Sequence, residues 1–198
     1  MRTIVRLAVL IIAMAAYASP QEYRPVELGL DYSYLHAQGP NGGDAVHMHG
    51  IQLSGTRNVN RRLGFGADFG AYYHCAAGCW GDTSLGRNDA YTLMAGPRLR
   101  LPSASRVIPF VAASGGMINL RYSEDFNVSM VGSGTVGPAR NVSVTGGAFS
   151  VGGGLDYAAG RVAWRLFQVE YFNYPLALQR KSAVRFSAGI RIGLGRVR

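Results

Sequence analysis

Between Val184 and Leu194 every second residue is apolar. Val184, Phe186, Ala188, Ile190, Ile192 and Leu194 fall on one face of an extended chain, and Arg185, Ser187, Gly189, Arg191 and Gly193 on the other. Two arginines confined to one face do not suit the core side of a soluble sandwich. They suit the wall of a membrane barrel, which turns apolar side chains to lipid and polar ones to a lumen.

The pattern recurs. Seven earlier segments alternate in the same way: about Arg24–His36, His47–Arg57, Leu63–Tyr73, Asp89–Leu101, Val107–Tyr122, Gly147–Ala158 and Val162–Tyr174. Each is near the 9–11 residues that cross a bilayer at a tilt. In the fifth, the Ala/Gly/Ser content leaves the two faces open. A chain with 27 glycines, 11% aromatic residues and only 16% charged residues suits strands and turns better than helices. The expected fold is all-β, an eight-stranded antiparallel up-and-down transmembrane β-barrel.

The connections alternate in length. Short turns are expected near Asn58–Arg62, Pro102–Arg106 and Ala159–Arg161. Long loops are expected near Ala37–Val46, His74–Asn88, Ser123–Gly146 and Pro175–Lys181. Short turns at one end and long loops at the other is the layout of outer-membrane barrels, and it puts both termini on the periplasmic side. Tyr34, Tyr73, Tyr91, Tyr171 and Tyr174 at the loop end, with Tyr157 and Trp164 at the turn end, suit two interfacial girdles.

The polar faces collect Glu27, Asp31, Asp68, Asp156 and Glu170 together with Arg98, Arg100, Arg185 and Arg191. Eight strands enclose just enough room for their own side chains. Buried charges need partners. These nine are expected to form an ion-pair network that plugs the lumen and leaves no wide pore.

The N-terminus reads as an export signal. Arg2 and Arg6 precede an apolar run from Leu7 to Ala16, and Ala16-Tyr17-Ala18 is a cleavage pattern that places the cut between Ala18 and Ser19. The run is too short to span a bilayer, which takes about 20 apolar residues. Residues 1–18 are therefore expected to be removed and residues 19–198 to form the barrel, with no further domain after it. Net charge is +9, nearly all from arginine. For an exported chain this points to phosphate-bearing lipid rather than nucleic acid. Arg121, Arg140, Arg180 and Lys181 near the loops are candidates for such contacts. Cys75 and Cys79, an even pair in an exported chain, are expected to form a disulfide, with metal binding the alternative.

These features together resemble the small bacterial outer-membrane β-barrel family that includes the OmpA transmembrane domain, OmpX and Ail. The resemblance covers about Glu22 to Arg198. Its most specific part is the last strand, where Ser187, Gly189, Ile192 and Leu194 fit a polar-x-Gly-x-x-apolar-x-apolar assembly signal. A terminal aromatic residue, usual in the family, is replaced by Gly195-Arg196-Val197-Arg198. The resemblance implies an outer-membrane location in a Gram-negative-type cell. It also implies contact with lipid and lipopolysaccharide, handling by the barrel-assembly machinery through the last strand, and a monomer.

Catalysis has little support. No Gly-x-Ser-x-Gly and no His-x-Ser pair occurs, and Ser54 lies on the opposite face from His47 and His49. His47-x-His49 has the spacing of a metal pair but suits an interfacial position equally well. No catalytic residue, metal or cofactor is assigned. The expected role is non-enzymatic: membrane integrity, adhesion or ligand contact through the long loops. The alternatives are a barrel enzyme acting on outer-leaflet lipid and a soluble secreted calyx, whose polarity would be reversed.

Overall fold

The computed structural model describes residues 24–37, 46–74, 88–103, 105–124, 140–176 and 179–195. Eight strands close one barrel: β1 (Val26–Ala37), β2 (Val46–Asn58), β3 (Leu63–His74), β4 (Asn88–Arg100), β5 (Val107–Glu124), β6 (Arg140–Ala159), β7 (Val162–Leu176) and β8 (Gln179–Leu194). Each pairs antiparallel with its sequence neighbours, and β8 pairs with β1. Closure leaves no unpaired edge strand in the hydrocarbon.

The register fixes the stagger. Leu28 pairs with Gly55, then the row runs through Ala67, Ala95, Gly115, Phe149, Asn173 and Ser182. Ser182 stands one position before Ala183, the partner of Ala37, so the row closes about ten residues beyond its start. Such a stagger on eight strands tilts them by roughly 35–45° and sets a lumen that side chains can fill.

Period-two patterning decides what faces out. Phe65, Leu93, Phe186 and Ile190 are 53%, 52%, 47% and 37% exposed, and most large exposed apolar side chains share their outward face. The fifth strand, ambiguous in sequence, resolves in the same way: Phe110 and Ile118 are buried inside, Val111 and Met117 exposed outside. An apolar band around a polar interior is the reverse of a soluble calyx, and the chain is a transmembrane barrel.

Three expectations are corrected. Pro175–Lys181 is not a long loop, because β7 and β8 continue as a paired hairpin to Leu176 and Gln179. The connection between the fifth and sixth strands is shorter than expected, since β5 reaches Glu124 and β6 starts at Arg140, in register. This stretch alternates as strongly as the rest, but its outward residues, Asn119, Ser143 and Thr145, are polar. Asn119 Nδ2 donates to Ser143 Oγ at 3.1 Å and to Thr145 Oγ1 at 2.7 Å. The hairpin therefore rises past the lipid on the same pairing rules. Tyr174 is no girdle residue: it is 2% exposed and packs in the interior.

The turn end is tied by local chemistry. Gly160 (φ +67°) and Arg161 make the two-residue turn between β6 and β7, where glycine takes the positive φ without strain. Asn60 Oδ1 accepts from the amides of Arg62 and Leu63, both at 2.8 Å, and shapes the β2–β3 turn. Arg24 Nη1 donates to the Gly195 carbonyl at 2.9 Å, pinning the start of the barrel to its end.

Candidate functional site

The lumen is built in tiers. Nearest the turns, Glu27 accepts from Arg100 and, at 3.2 Å, from Asn58 Nδ2. Asp156 sits between two arginines, pairing with Arg98 and accepting from Arg165 Nε at 3.0 Å. Arg98 and Arg165 also lie on the Phe110 ring, 3.8 and 4.6 Å from its centre, as cation–π contacts. One step up, Arg191 Nη2 donates to Asp31 at 2.5 Å and its other arm meets Ser54. Above this, one of the Ser33 and Ser187 hydroxyls donates to the other at 2.8 Å, and the accepting one donates to Gln52 Oε1.

The highest tier centres on Arg185, which has no exposed surface. Its Nε donates to Glu170 at 2.7 Å, and its Nη1 to Asp68 at 3.1 Å and the Tyr72 hydroxyl at 2.9 Å. All nine charged positions named from the sequence pattern thus point into the lumen and pair there. A tenth, Arg165, joins them. Strict alternation from Glu170 and Gln168 would turn Arg165 to lipid. A β-bulge between Arg165 and Gln168 instead sets both Leu166 and Phe167 outward and returns Arg165 to the interior. The one signal for it in sequence is the doublet of large apolar residues at 166 and 167. The network then balances, with five carboxylates against five arginines.

Over the charges lies a layer that charge-based reading overlooked. Leu35, Met48, Met94, Ile118, Phe172 and Tyr174 point inward near the loop end and pack as a buried apolar cluster, with Tyr72 joining it to the Arg185 tier. The Phe172 ring also stacks on the Arg185 guanidinium from the loop side, 4.7 Å from it. Lys181, named in sequence as a loop-side contact, is instead buried on the inner face; Arg121 is exposed, over the Tyr91 ring. Among the described residues, cavities of about 40 and 60 Å³ with mixed polar and apolar walls lie among these side chains, each with room for a few waters.

The other sequence-named residues divide between faces. Ser187 and Gly189 point inward, Ile192 and Leu194 outward. At Gly189 a Cβ would come within 2.2 Å of the Leu30 carbonyl and 2.5 Å of Asp31 Oδ1, so glycine there is what lets Asp31 reach its arginine. Cys75, Cys79, Ala18 and Ser19 lie outside the described residues. His47 and His49 stand on the outer wall, where His36 joins them. Among the described residues no three histidine, cysteine or acidic side chains converge on a metal position. The exposed arginines Arg57, Arg61, Arg62, Arg106 and Arg161 all lie at the turn end, and no described carboxylate is exposed beside them.

A closed eight-stranded barrel with an apolar outer band and a side-chain-filled interior defines a small transmembrane barrel, the fold of the small outer-membrane proteins. Solved structures share it. Neisserial surface protein A is 18% identical, with 86% of this chain and 97% of that chain covered at a TM-score of 0.60. Ail, the attachment invasion locus protein of Yersinia pestis, is 17% identical, with 84% and 96% covered at a TM-score of 0.53. At these identities the likeness is one of fold. No protein-family model matches the chain, and no curated protein matches it in sequence.

Proposed function

We propose that this chain is a non-enzymatic outer-membrane protein, monomeric, exported by an 18-residue signal, and acting as a structural or surface-interaction barrel. The observation that carries the reading is the filled lumen. Five paired arginines, five carboxylates and an apolar cluster above them leave no continuous path, so the interior stabilises and the loop end is free to interact. Attachment, the role recorded in the name of Ail, is one form of this reading.

The partners follow from chemistry. The apolar band takes lipid, the loop end meets lipopolysaccharide or an external ligand, and the last strand, through Ser187, Gly189, Ile192 and Leu194, engages the assembly machinery. The disulfide between Cys75 and Cys79 belongs to the second loop.

The test compares cells displaying the wild-type barrel with cells displaying a variant whose segments 38–45, 75–87 and 125–139 are replaced by short turns. Both barrels are first checked by fractionation and by their shift on a heat-modifiability gel. Adherence to immobilised host-surface glycans and proteins, and survival in detergent, are then measured. Loss of adherence on loop replacement, or detergent sensitivity in cells lacking the barrel, supports the reading. Indifference in both assays overturns it.

A further inference from the structure

His36 and His47 are directly opposed on β1 and β2, on the outer wall at the loop end, with their Nδ1 atoms 3.2 Å apart. The Tyr34 hydroxyl also contacts His47 Nδ1, and the Tyr34 ring stacks on the His47 ring at 5.8 Å and 25°. Two positions along β2, His49 takes a separate partner, its Nδ1 lying 2.5 Å from the Tyr32 hydroxyl.

An imidazole nitrogen offers either one lone pair or one N–H. His47 Nδ1 is approached by two groups, a hydroxyl and a second ring nitrogen, and a single proton serves only one of them well. A cation that accepts from several donors at once satisfies all three. The spacing suits one: at Zn–N distances of about 2.0–2.1 Å, two tetrahedral ligand atoms stand roughly 3.3 Å apart. The site has no described carboxylate, which disfavours magnesium and calcium, and imidazole suits zinc and copper. Its register neighbours on the outer face, Val184 beside His36, Phe186 beside Tyr34 and Tyr73 beside His49, are uncharged and do not repel a cation. Both histidines lie within a residue or so of the strand ends, beyond Tyr32, which places them at headgroup level in reach of water.

We propose that His36 and His47 form a two-imidazole site for a divalent transition-metal ion of the zinc or copper type. The Tyr34 oxygen lies beside the third position, and solvent or an external donor completes the set. Such a site clamps the first two strands together at the rim. It stands on the geometry of the outer wall and is independent of the adhesive reading.

The test uses the folded barrel in detergent micelles, titrated with zinc chloride by calorimetry and with copper(II) by electron paramagnetic resonance. The same titrations are run on His36→Gln, His47→Gln, His49→Gln and the Cys75→Ser/Cys79→Ser double variant, each first shown to keep its heat-modifiability shift. The expected result is one saturable site with nitrogen hyperfine structure. Affinity should fall about tenfold or more in His36→Gln and His47→Gln, the loss typical of weakened metal ligation. It should stay near wild type in His49→Gln and in the cysteine variant. Zinc should raise the unfolding temperature of the wild type and leave that of the two ligand variants unchanged. Absence of saturable binding, wild-type affinity in His36→Gln and His47→Gln, or loss of binding only in the cysteine variant overturns the proposal.

Discussion

Arg185 on β8 and Glu170 on β7 are paired directly across the strand boundary, and the same guanidinium reaches over the lumen to Asp68 and Tyr72 on β3. One side chain thus links three strands, one of them not adjacent to the others in the sheet. Its Nε and Nη atoms spread in fixed directions, and lysine cannot reproduce that fork.

Replacing Arg185 by alanine should strand two carboxylates in the interior. Breaking a fully buried pair costs about 3–5 kcal/mol, and less where lumenal water relaxes the site. The variant should lose its compact gel band at a lower temperature while still reaching the membrane. Arg185→Lys should fall between. An unchanged transition in Arg185→Ala would show that the upper tier does not hold the barrel together.

The outer face should be intolerant of charge. An arginine at mid-bilayer on a lipid-facing position costs about 2–4 kcal/mol. Ile190→Arg and Phe65→Arg should each lower stability in lipid vesicles, measured by urea unfolding, whereas Arg121→Ala at the loop end should change it by a few tenths of a kcal/mol at most.

The bulge on β7 makes a sharper prediction. Deleting Leu166 removes the extra residue and restores strict alternation with Arg165 still inward and Trp164 outward, so Asp156 keeps both of its arginines. Deleting Leu166 and Phe167 together instead turns Arg165 to lipid and Trp164 to the lumen. The double deletion should destabilise the barrel more than the single one. Comparing the two on the same gel checks it.

A plugged lumen should conduct poorly. In planar bilayers the expected record is flat, with no stable open level. A large steady current would mean that the charge network or the apolar layer above it opens, and would favour a pore.

Thiol labelling tests the loop disulfide. Denatured, unreduced protein from an oxidising compartment should take up no label at Cys75 or Cys79, and two labels after reduction. Because the proposed bond would close only a short ring, Cys75→Ser/Cys79→Ser should fold with an unchanged melting temperature.

Much of this architecture is legible in sequence because the period of two is simple and lipid punishes exceptions. Charges on one face of each strand suffice to orient β1, β4 and β8. The reading fails where the period itself changes, as at Leu166 and Phe167, since alternation carried past a bulge assigns every later residue to the wrong face. It also stops where the alternation turns polar on both sides. Strand β6 starts at Arg140 rather than near Gly147 because Asn119, Ser143 and Thr145 carry the ladder into water, where no apolar band marks it. The apolar layer escaped for a different reason. Leu35 and Met48 lie on the inward face by parity alone, and an apolar residue facing a lumen leaves no trace in a search for charges. The His36–His47 pair was half visible: His47-x-His49 stands out in sequence, but the partner across the hairpin depends on a register that only pairing reveals.

The balance of charges inside the lumen has a consequence for how the barrel enters a membrane. Since the interior network cancels, the surplus positive charge must sit outside it. In sequence, the loop-end segments and the strand residues next to them hold Asp44, Asp82, Asp89, Glu124 and Asp125 against Arg87, Arg121, Arg140, Arg180 and Lys181, an even match. Arg57, Arg61, Arg62, Arg106 and Arg161 stand exposed at the opposite pole, with no exposed carboxylate among the described side chains there. Insertion with the loops leading drags matched charge through the hydrocarbon. Insertion with the turns leading would drag unmatched guanidinium groups, each costing about 2–4 kcal/mol at the bilayer centre. The molecule is therefore polarised along its axis, and passage through the bilayer is favoured in one direction only.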